Sequence, residues 1–255
     1  MHVTVFVDPS YDSQNGPPDG SFERPLLTLQ AAVALTATSR ILTIQLSDAV
    51  YTVLPDEPLI IKGNCTIRAP NGPSKVVITC RSALRCAMFQ ADGTAMHNLA
   101  ELLNSTYSWW VILEGLTLDQ PGVDTLNAVA PSNEPASLGV TGMLLAGMGR
   151  SFVTAYVNVT LRNCEFANQA VGVNALALTH GVAVLEDVVF RNNTAWTPTA
   201  GLPTTGAAVH VRNVNSVRMQ NVWVMIYLFH IYMLCDCYTV IVSLAAVYSH
   251  IYHMT

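Results

Sequence analysis

Hydrophobic and polar residues alternate along this chain on two different periods. At the start Val3, Val5 and Val7 share one face of an alternating run, the pattern of a strand with one side turned inward. The stretch from Asp8 to Pro25 is dense in Gly, Pro, Asp, Asn and Ser and reads as a loop. From Leu26 to Thr38 the period lengthens. Leu26, Leu29, Val33 and Ala37 form a stripe, and Ala and Leu favour helix, so this segment is predicted helical. From Ile41 onward, stretches such as ILTIQL, PLIIKGNCTIRAP, SWWVILEGLTLDQPG and AYVNVTLRNCEF are short apolar runs punctuated by turn residues. The expected fold class is all-β, with an N-terminal strand, loop and helix over 1–40, a strand-rich body over 41–221 and an apolar tail over 222–255.

The body repeats itself. TLRNCEFANQAV (Thr160 to Val171) and VLEDVVFRNNTA (Val184 to Ala195) align Leu161, Phe166 and Asn168 with Leu185, Phe190 and Asn192, an offset in numbering of 185 − 161 = 24. Leu113 precedes Leu161 by 161 − 113 = 48, read as twice that period. Met219 follows Leu185 by 219 − 185 = 34, which places an insertion of about ten residues at the proline-bearing WTPTAGLPTT (Trp196 to Thr205). A period in the twenties with several strands and no helix predicts a parallel β-helix, in which each coil buries its apolar face on the next. Leu, Val or Cys, and Phe at these spacings do not share a face of one straight strand; a bend between short strands turns all of them inward. Asparagine after the phenylalanine suits such a corner, since it tolerates left-handed backbone and aligned copies can hydrogen-bond as a ladder. About seven or eight coils, roughly 35 Å of stack, are expected between Ile41 and Val224. A leucine-rich repeat is the rival: Leu185, Val188, Phe190 and Asn193 fit its frame, but Gln169 stands at the asparagine position one repeat earlier, and GVNALALTHGVAVL reads as strand rather than as a helical return arm.

Composition narrows the function classes. Only 11% of residues are charged and 51% are hydrophobic, with a net charge of −5 and the lysines limited to Lys62 and Lys75. No basic patch is visible, so nucleic acid is not an expected partner. The six cysteines, Cys65, Cys80, Cys86, Cys164, Cys235 and Cys237, follow no zinc or haem spacing. The start MHVTVFVDPS lacks the basic and apolar regions of a secretion signal, and the chain is expected to be a fragment of a longer protein.

The run VFVDPS…GSFERPLLTLQAAV resembles the opening of secreted right-handed parallel β-helix proteins of the pectin-lyase-like superfamily, where P-x-x-T-[IL]-Q-x-A begins a capping helix. Pro25, Thr28, Leu29, Gln30 and Ala32 match it. The resemblance implies that Leu26 to Thr38 caps the stack and protects the first coil's edge from pairing with another chain. Phe190 to Asn193 (FRNN) and Thr205 to Val209 (TGAAV) look like the F-x-x-N and G-G-A-[ILV] motifs of polymorphic outer-membrane protein repeats, which are surface adhesins. FANQ at Phe166 lacks the last asparagine, and Thr205 replaces the first glycine.

None of the catalytic motifs that the superfamily implies for lyases, polygalacturonases or pectin methylesterases is present. THG (Thr179 to Gly181) grazes one, but the paired aspartates that would activate water are missing, and His180 reads as a turn residue. Asp119 and Asp124 offer oxygen ligands for calcium without a third nearby carboxylate, and read as a solvated turn. Glu114, Glu186 and Asp187 are expected to face solvent. Trp109 and Trp110 suggest a sugar-stacking platform, yet consecutive strand residues point to opposite sides, so one of the two is expected to pack inward. No catalytic, cofactor or metal residue is assigned. Sequons occur at Asn64, Asn104, Asn158 and Asn192, candidate N-glycosylation acceptors that fit a secretory route.

After Asn221 the composition breaks: the tail contains no Gly, Pro, Lys, Arg, Glu, Asn or Gln. Val222 to Tyr248 is long enough to span a bilayer, with Asp236 its only acid. Arg212 and Arg218 before it would place the body in the cytosol by the positive-inside rule, against the sequons. Three readings stand: a transmembrane helix, a gene-model artefact of intron or frameshifted sequence, and further apolar coils. The functional expectation is a non-catalytic β-helix scaffold of a secreted or cell-surface protein, for adhesion or recognition of polysaccharide or cell-surface glycans. The alternatives are a polysaccharide lyase or glycoside hydrolase, and a membrane-tethered surface protein.

Overall fold

The structure, a computed structural model, describes residues 2–38, 41–54, 59–79, 89–91, 109–119, 143–145, 157–168, 170–171, 176–179, 182–191, 194–195, 209–212, 216–226, 240–243 and 246–249. These residues form mostly strands in parallel sheets, with few helices. The first sheet lays eight strands side by side in chain order: His2–Val7, Ile41–Leu46, Asn64–Arg68, Trp109–Glu114, Val157–Arg162, Val182–Glu186, Ser216–Gln220 and Val240–Ser243. The second does the same with seven: Val50–Thr52, Val77–Thr79, Thr117–Asp119, Glu165–Ala167, Val189–Arg191, Trp223–Ile226 and Ala246–Ser249. The third has five: Leu59–Ile61, Phe89–Ala91, Met143–Leu145, Leu176–Thr179 and Val209–Arg212. From Ile41 to Arg212 the chain visits the first, second and third sheets in turn and returns to the first one row further on. Such a path suits parallel pairing, which needs a crossover rather than a hairpin between partners.

Register explains the repeat. Val5, Ile44, Ile67, Leu113, Leu161, Leu185 and Met219 are successive partners in the first sheet, and all are buried. In the second sheet Tyr51, Ile78, Leu118, Phe166 and Phe190 form the matching buried column. The rings of Phe166 and Phe190 stack with centroids 4.9 Å apart and planes 17° from parallel. That separation is the strand spacing itself, so the offset between the two motifs sets like side chains one above another. Each such buried side chain contributes roughly 1.5–3 kcal/mol over its exposed state, which is why apolar character recurs at these positions.

The doubled interval from Leu113 to Leu161 is not two coils. Leu113 pairs directly with Leu161, so the interval is one circuit, longer than the Leu161–Leu185 circuit by 48 − 24 = 24. Ile67 likewise pairs directly with Leu113, a step of 113 − 67 = 46. Pairing requires only that the strand return to the next row; extra length between strands adds a closure cost that grows slowly. The Leu185–Met219 circuit carries its extra length where the prolines predicted it. The step from Ala195 to Val209 is 209 − 195 = 14, against 176 − 171 = 5 from Val171 to Leu176. Residues 196–205 themselves lie outside the described set.

At the N-terminus the helix is shorter than the apolar stripe. It runs Leu29–Ala34 and tightens to a 3-10 turn over Leu35–Ala37. Thr28 is its N-cap, accepting from the Ala31 N–H at 3.2 Å, while Leu29, Ala32 and Val33 enter the core. Thr36 ties the helix to the third sheet: its buried hydroxyl accepts from the Lys62 N–H at 2.9 Å. Leu26 belongs to neither turn. It bridges Val7 in parallel, and the Phe6 carbonyl accepts from its N–H. Phe6 N–H donates in turn to Gly20, and Asp8 N–H to Leu26. The segment from Gly20 to Leu26, rather than the helix, therefore covers the outer edge of the first strand at Phe6 and Asp8, and the helix closes the end of the core.

The tail departs from the membrane helix expected over 222–248. Trp223–Ile226, Val240–Ser243 and Ala246–Ser249 are strands, paired in parallel onto the rows before them. Among the described residues no helix is long and apolar enough to cross a membrane; residues 227–239 lie outside that set. The physical reason is local. Val222, Trp223, Val224 and the Val240-Ile241-Val242 run are β-branched or aromatic, and the preceding strands present an edge whose backbone groups need partners. The step from Val217 to Val240, 240 − 217 = 23, equals that from Leu42 to Cys65, 65 − 42 = 23.

Candidate functional site

Alternation that turns Leu and Val inward turns the intervening residues of the first sheet outward, where register aligns them in three columns. The leading column runs Ile41, Asn64, Trp110, Asn158, Val182, Ser216. Its two asparagines do the same job two rows apart: Asn64 Oδ1 accepts from the Trp110 N–H at 3.0 Å, and Asn158 Oδ1 accepts from the Val182 N–H at 2.9 Å. Each side chain thereby satisfies a backbone donor where the next strand begins. The middle column runs Thr43, Thr66, Ile112, Thr160, Val184, Arg218: a buried threonine, four half-buried β-branched residues and an exposed arginine. The trailing column runs Gln45, Arg68, Glu114, Arg162, Glu186, Gln220, alternating in charge across its four central rows. Arg68 donates to Gln45 Oε1 from Nε and Nη2 at 3.1 and 2.6 Å, and Arg162 Nε meets Glu186 Oε2 at 2.9 Å. Exposed pairs of this kind contribute about 0–1 kcal/mol each, so the column's value to folding is modest. Beside the corner, on the second sheet, Arg191 Nη2 meets Glu165 Oε1 at 2.5 Å.

The corner after this column is the feature sequence reasoning missed. Gly115, Asn163, Asp187 and Asn221 all take positive φ, 73°, 48°, 54° and 52°. Each sits two residues after Leu113, Leu161, Leu185 or Met219, so a small or Asx residue at that offset was the available signal. Their N–H groups continue the ladder around the bend: Gly115 donates to Arg162, Asn163 to Glu186 and Asp187 to Gln220, at 2.9–3.0 Å. Asn221 Nδ2 donates to Asp187 Oδ1 at 3.0 Å, a side-chain rung between corners. Asn168, placed at a corner from the sequence, also has positive φ (53°), and its Nδ2 donates to Asp119 Oδ1 one row earlier at 2.9 Å.

The predicted site residues do not converge on one point. Asn64 and Asn158 share the leading column, whereas Asn104 and Asn192 lie outside the described residues, as do Asp124, His180, Cys80, Cys86, Cys235 and Cys237. Asp119 is held by Asn168. Glu114 and Asp187 are exposed and Glu186 half-buried. Trp110 is half-exposed on the outer face; the Trp109 side chain is outside the described set. Cys65 and Cys164 are buried free thiols, pushed by desolvation up to about 12 and about 11, too high to supply thiolate at neutral pH. Asp8 is held below the usual carboxylate range, chiefly by the Ser10 hydroxyl, and burial raises the Tyr51 phenol. Among the described residues no three His, Cys, Asp or Glu side chains gather as a metal-binding set. Among the described residues the outer face offers aromatic rings at Trp110 and Phe6, amides and alternating charges, a set suited to recognition. Compared with known proteins, the chain matches no family model, no curated protein and no solved structure.

Proposed function

We propose that the chain is a right-handed parallel β-helix of the pectin-lyase-like type, part of a secreted or cell-surface protein, and that it acts as a non-catalytic scaffold for adhesion or polysaccharide recognition. The cyclic visiting of three parallel sheets and the vertical columns of like side chains support the solenoid reading. The right hand follows from the strong preference of parallel crossovers for that sense. The N-terminal motif supports the kinship, because Thr28 caps the helix while Leu29 and Ala32 fill the core. The similarity to adhesin repeats rests on Phe190 to Asn193 and Thr205 to Val209 and supports a surface role more weakly.

One observation carries the recognition reading: Trp110, half-exposed on the outer face, is the row between Asn64 and Asn158, beside a column of alternating Arg and Glu. An exposed ring with neighbouring amides can stack on the apolar face of a sugar while polar groups meet its hydroxyls. A glycan-binding screen run beside lyase and hydrolase assays tests this. Capture of a polysaccharide without turnover, weakened at least about tenfold by Trp110→Ala, is the expected result. Turnover abolished by substitution of a single acidic residue would overturn the scaffold reading in favour of an enzyme.

A further inference from the structure

The trailing column of the outer face has a symmetry that folding alone does not require. Read in chain order, its eight rows are Phe6, Gln45, Arg68, Glu114, Arg162, Glu186, Gln220 and Ser243: two neutral, then positive, negative, positive, negative, then two neutral. Lateral alternation avoids stacking like charges about 4.8 Å apart, and any number of alternating rows would achieve it. An even number bounded by neutral residues achieves something more. Reversed, the pattern is its own electrostatic complement.

We propose that the outer face of the first sheet docks on the same face of a second copy of this chain, about a two-fold axis running along the strands between the Glu114 and Arg162 rows. This rests on the reading that the face is a recognition surface, and names its partner. Rotation about that axis keeps each column opposite itself while reversing the row order. Arg68 then faces Glu186 of the second copy, Glu114 faces Arg162 of the second copy, and Gln45 faces Gln220 of the second copy. The middle column brings Ile112 against Thr160, Thr66 against Val184 and, in the outermost of the six docked rows, Thr43 against the exposed Arg218 of the second copy, so β-branched contacts at the centre are flanked by one guanidinium on either side. In the leading column Trp110 meets the Asn158 row. Such an arrangement is isologous, so each contact occurs twice. Six rows of five or six residues bury roughly 500 Å² per copy, about 1,000 Å² in all, the lower limit for a specific interface. The dimer is therefore reversible, with dissociation near the micromolar range, about 1 µM or weaker. Because its complementarity is ionic, it weakens with salt.

Sedimentation velocity of the full chain over a range of concentrations is the test, in low salt and again in roughly 0.5 M salt. The wild-type chain should dimerise reversibly and less tightly in high salt. Arg162→Glu alone sets two pairs of like charges face to face, as does Glu114→Arg alone, and each should weaken self-association at least about tenfold. An equimolar mixture of the two variants restores every opposite pair, so the heterodimer should recover wild-type affinity. The pair Arg68→Glu and Glu186→Arg obeys the same logic if either inner variant fails to fold. Dimerisation indifferent to salt and to all four substitutions would overturn the proposal. So would a wild-type chain that stays monomeric throughout; if that monomer still captured glycan through Trp110, only the self-docking would fall. A salt-sensitive dimer that captures no glycan would leave the docking standing and remove the polysaccharide half of the functional reading.

Discussion

Phe166 and Phe190 test the stack most directly. Both rings are buried, at 0% and 1% exposure, with no room to swing outward. Replacing Phe190 by Ala removes the ring and leaves a cavity that two paired rows cannot easily collapse, so a loss of about 3–5 kcal/mol is expected. That figure alone would follow from any buried phenylalanine. The specific content lies in the coupling between the two rings, 4.9 Å apart and nearly parallel. A double-mutant cycle with Phe166→Leu and Phe190→Leu keeps most of the apolar volume while deleting the ring pair. The singles should together cost more than the double by about 0.5–1.5 kcal/mol, the worth of a stacked aromatic contact beyond its burial. Urea unfolding followed by tryptophan fluorescence gives each stability, and constant slopes across the four proteins would show that the unfolded ensemble is unchanged. Coupling below about 0.3 kcal/mol, the level found for independent sites, would refute the vertical register from which the fold is argued.

Three further outcomes follow from the corners, the core and the loop. Gly115→Ala should destabilise by more than about 1 kcal/mol, since the residue sits at φ +73° and an added Cβ would meet the Ala69 carbonyl oxygen at 2.3 Å; Asn163→Gly, by contrast, should be neutral within about 0.5 kcal/mol by chemical denaturation. Pulsed alkylation of the native protein near pH 8, read by peptide mass spectrometry, should leave Cys65 and Cys164 unmodified until unfolding, and labelling of either at the rate of an unfolded control would contradict their burial. The folded pKa of Asp8 is depressed, so its contribution to stability is present above the unfolded carboxylate value and is lost as pH falls through the lower folded value. Ser10→Ala removes the main cause, and thermal unfolding followed below pH 5 should show a shallower acid-side decline than wild type; an unchanged slope would exclude the Ser10 hydroxyl as that cause.

How much was legible in the sequence depended on whether a signal was local or relational. Strand texture, the N-terminal helix and the Phe166–Phe190 offset were legible, because apolar periodicity reports burial residue by residue. The row count between Leu113 and Leu161 was not. Periodicity gives distance along the chain, whereas Leu113 and Leu161 become neighbours through pairing, which tolerates a long excursion between strands. The tail misled for a related reason. A long apolar run reads alike as a membrane helix or as strands seated on an apolar edge, and only the row before it supplies that edge. The corner ladder was present in the letters, at Gly115, Asn163, Asp187 and Asn221, but its residues share a conformation rather than an identity. The outer columns could be read only once register was known, since Gln45 and Gln220 lie at opposite ends of a pattern that has no meaning along the chain.

The same distinction bears on how loosely the paired rows constrain residue identity. The inner column tolerates Val5, Ile44, Ile67, Leu113, Leu161, Leu185 and Met219 in turn, seven positions filled by four residue types under one requirement of apolar volume. The corner accepts glycine, asparagine or aspartate under one requirement of left-handed backbone. A fold specified by residue classes at paired positions can drift far in identity and length without losing its register, because each row need only fit the rows beside it. The outward rows are not bound by that tolerance. Arg162 replaced by glutamate would still point outward and fold onto its neighbours at small cost, but it would meet Glu186 beside it with like charge and break the alternation. Selection on function therefore acts where the fold is indifferent. On the proposed reading that place is the charged column beside Trp110, where the order of the charges carries the self-docking.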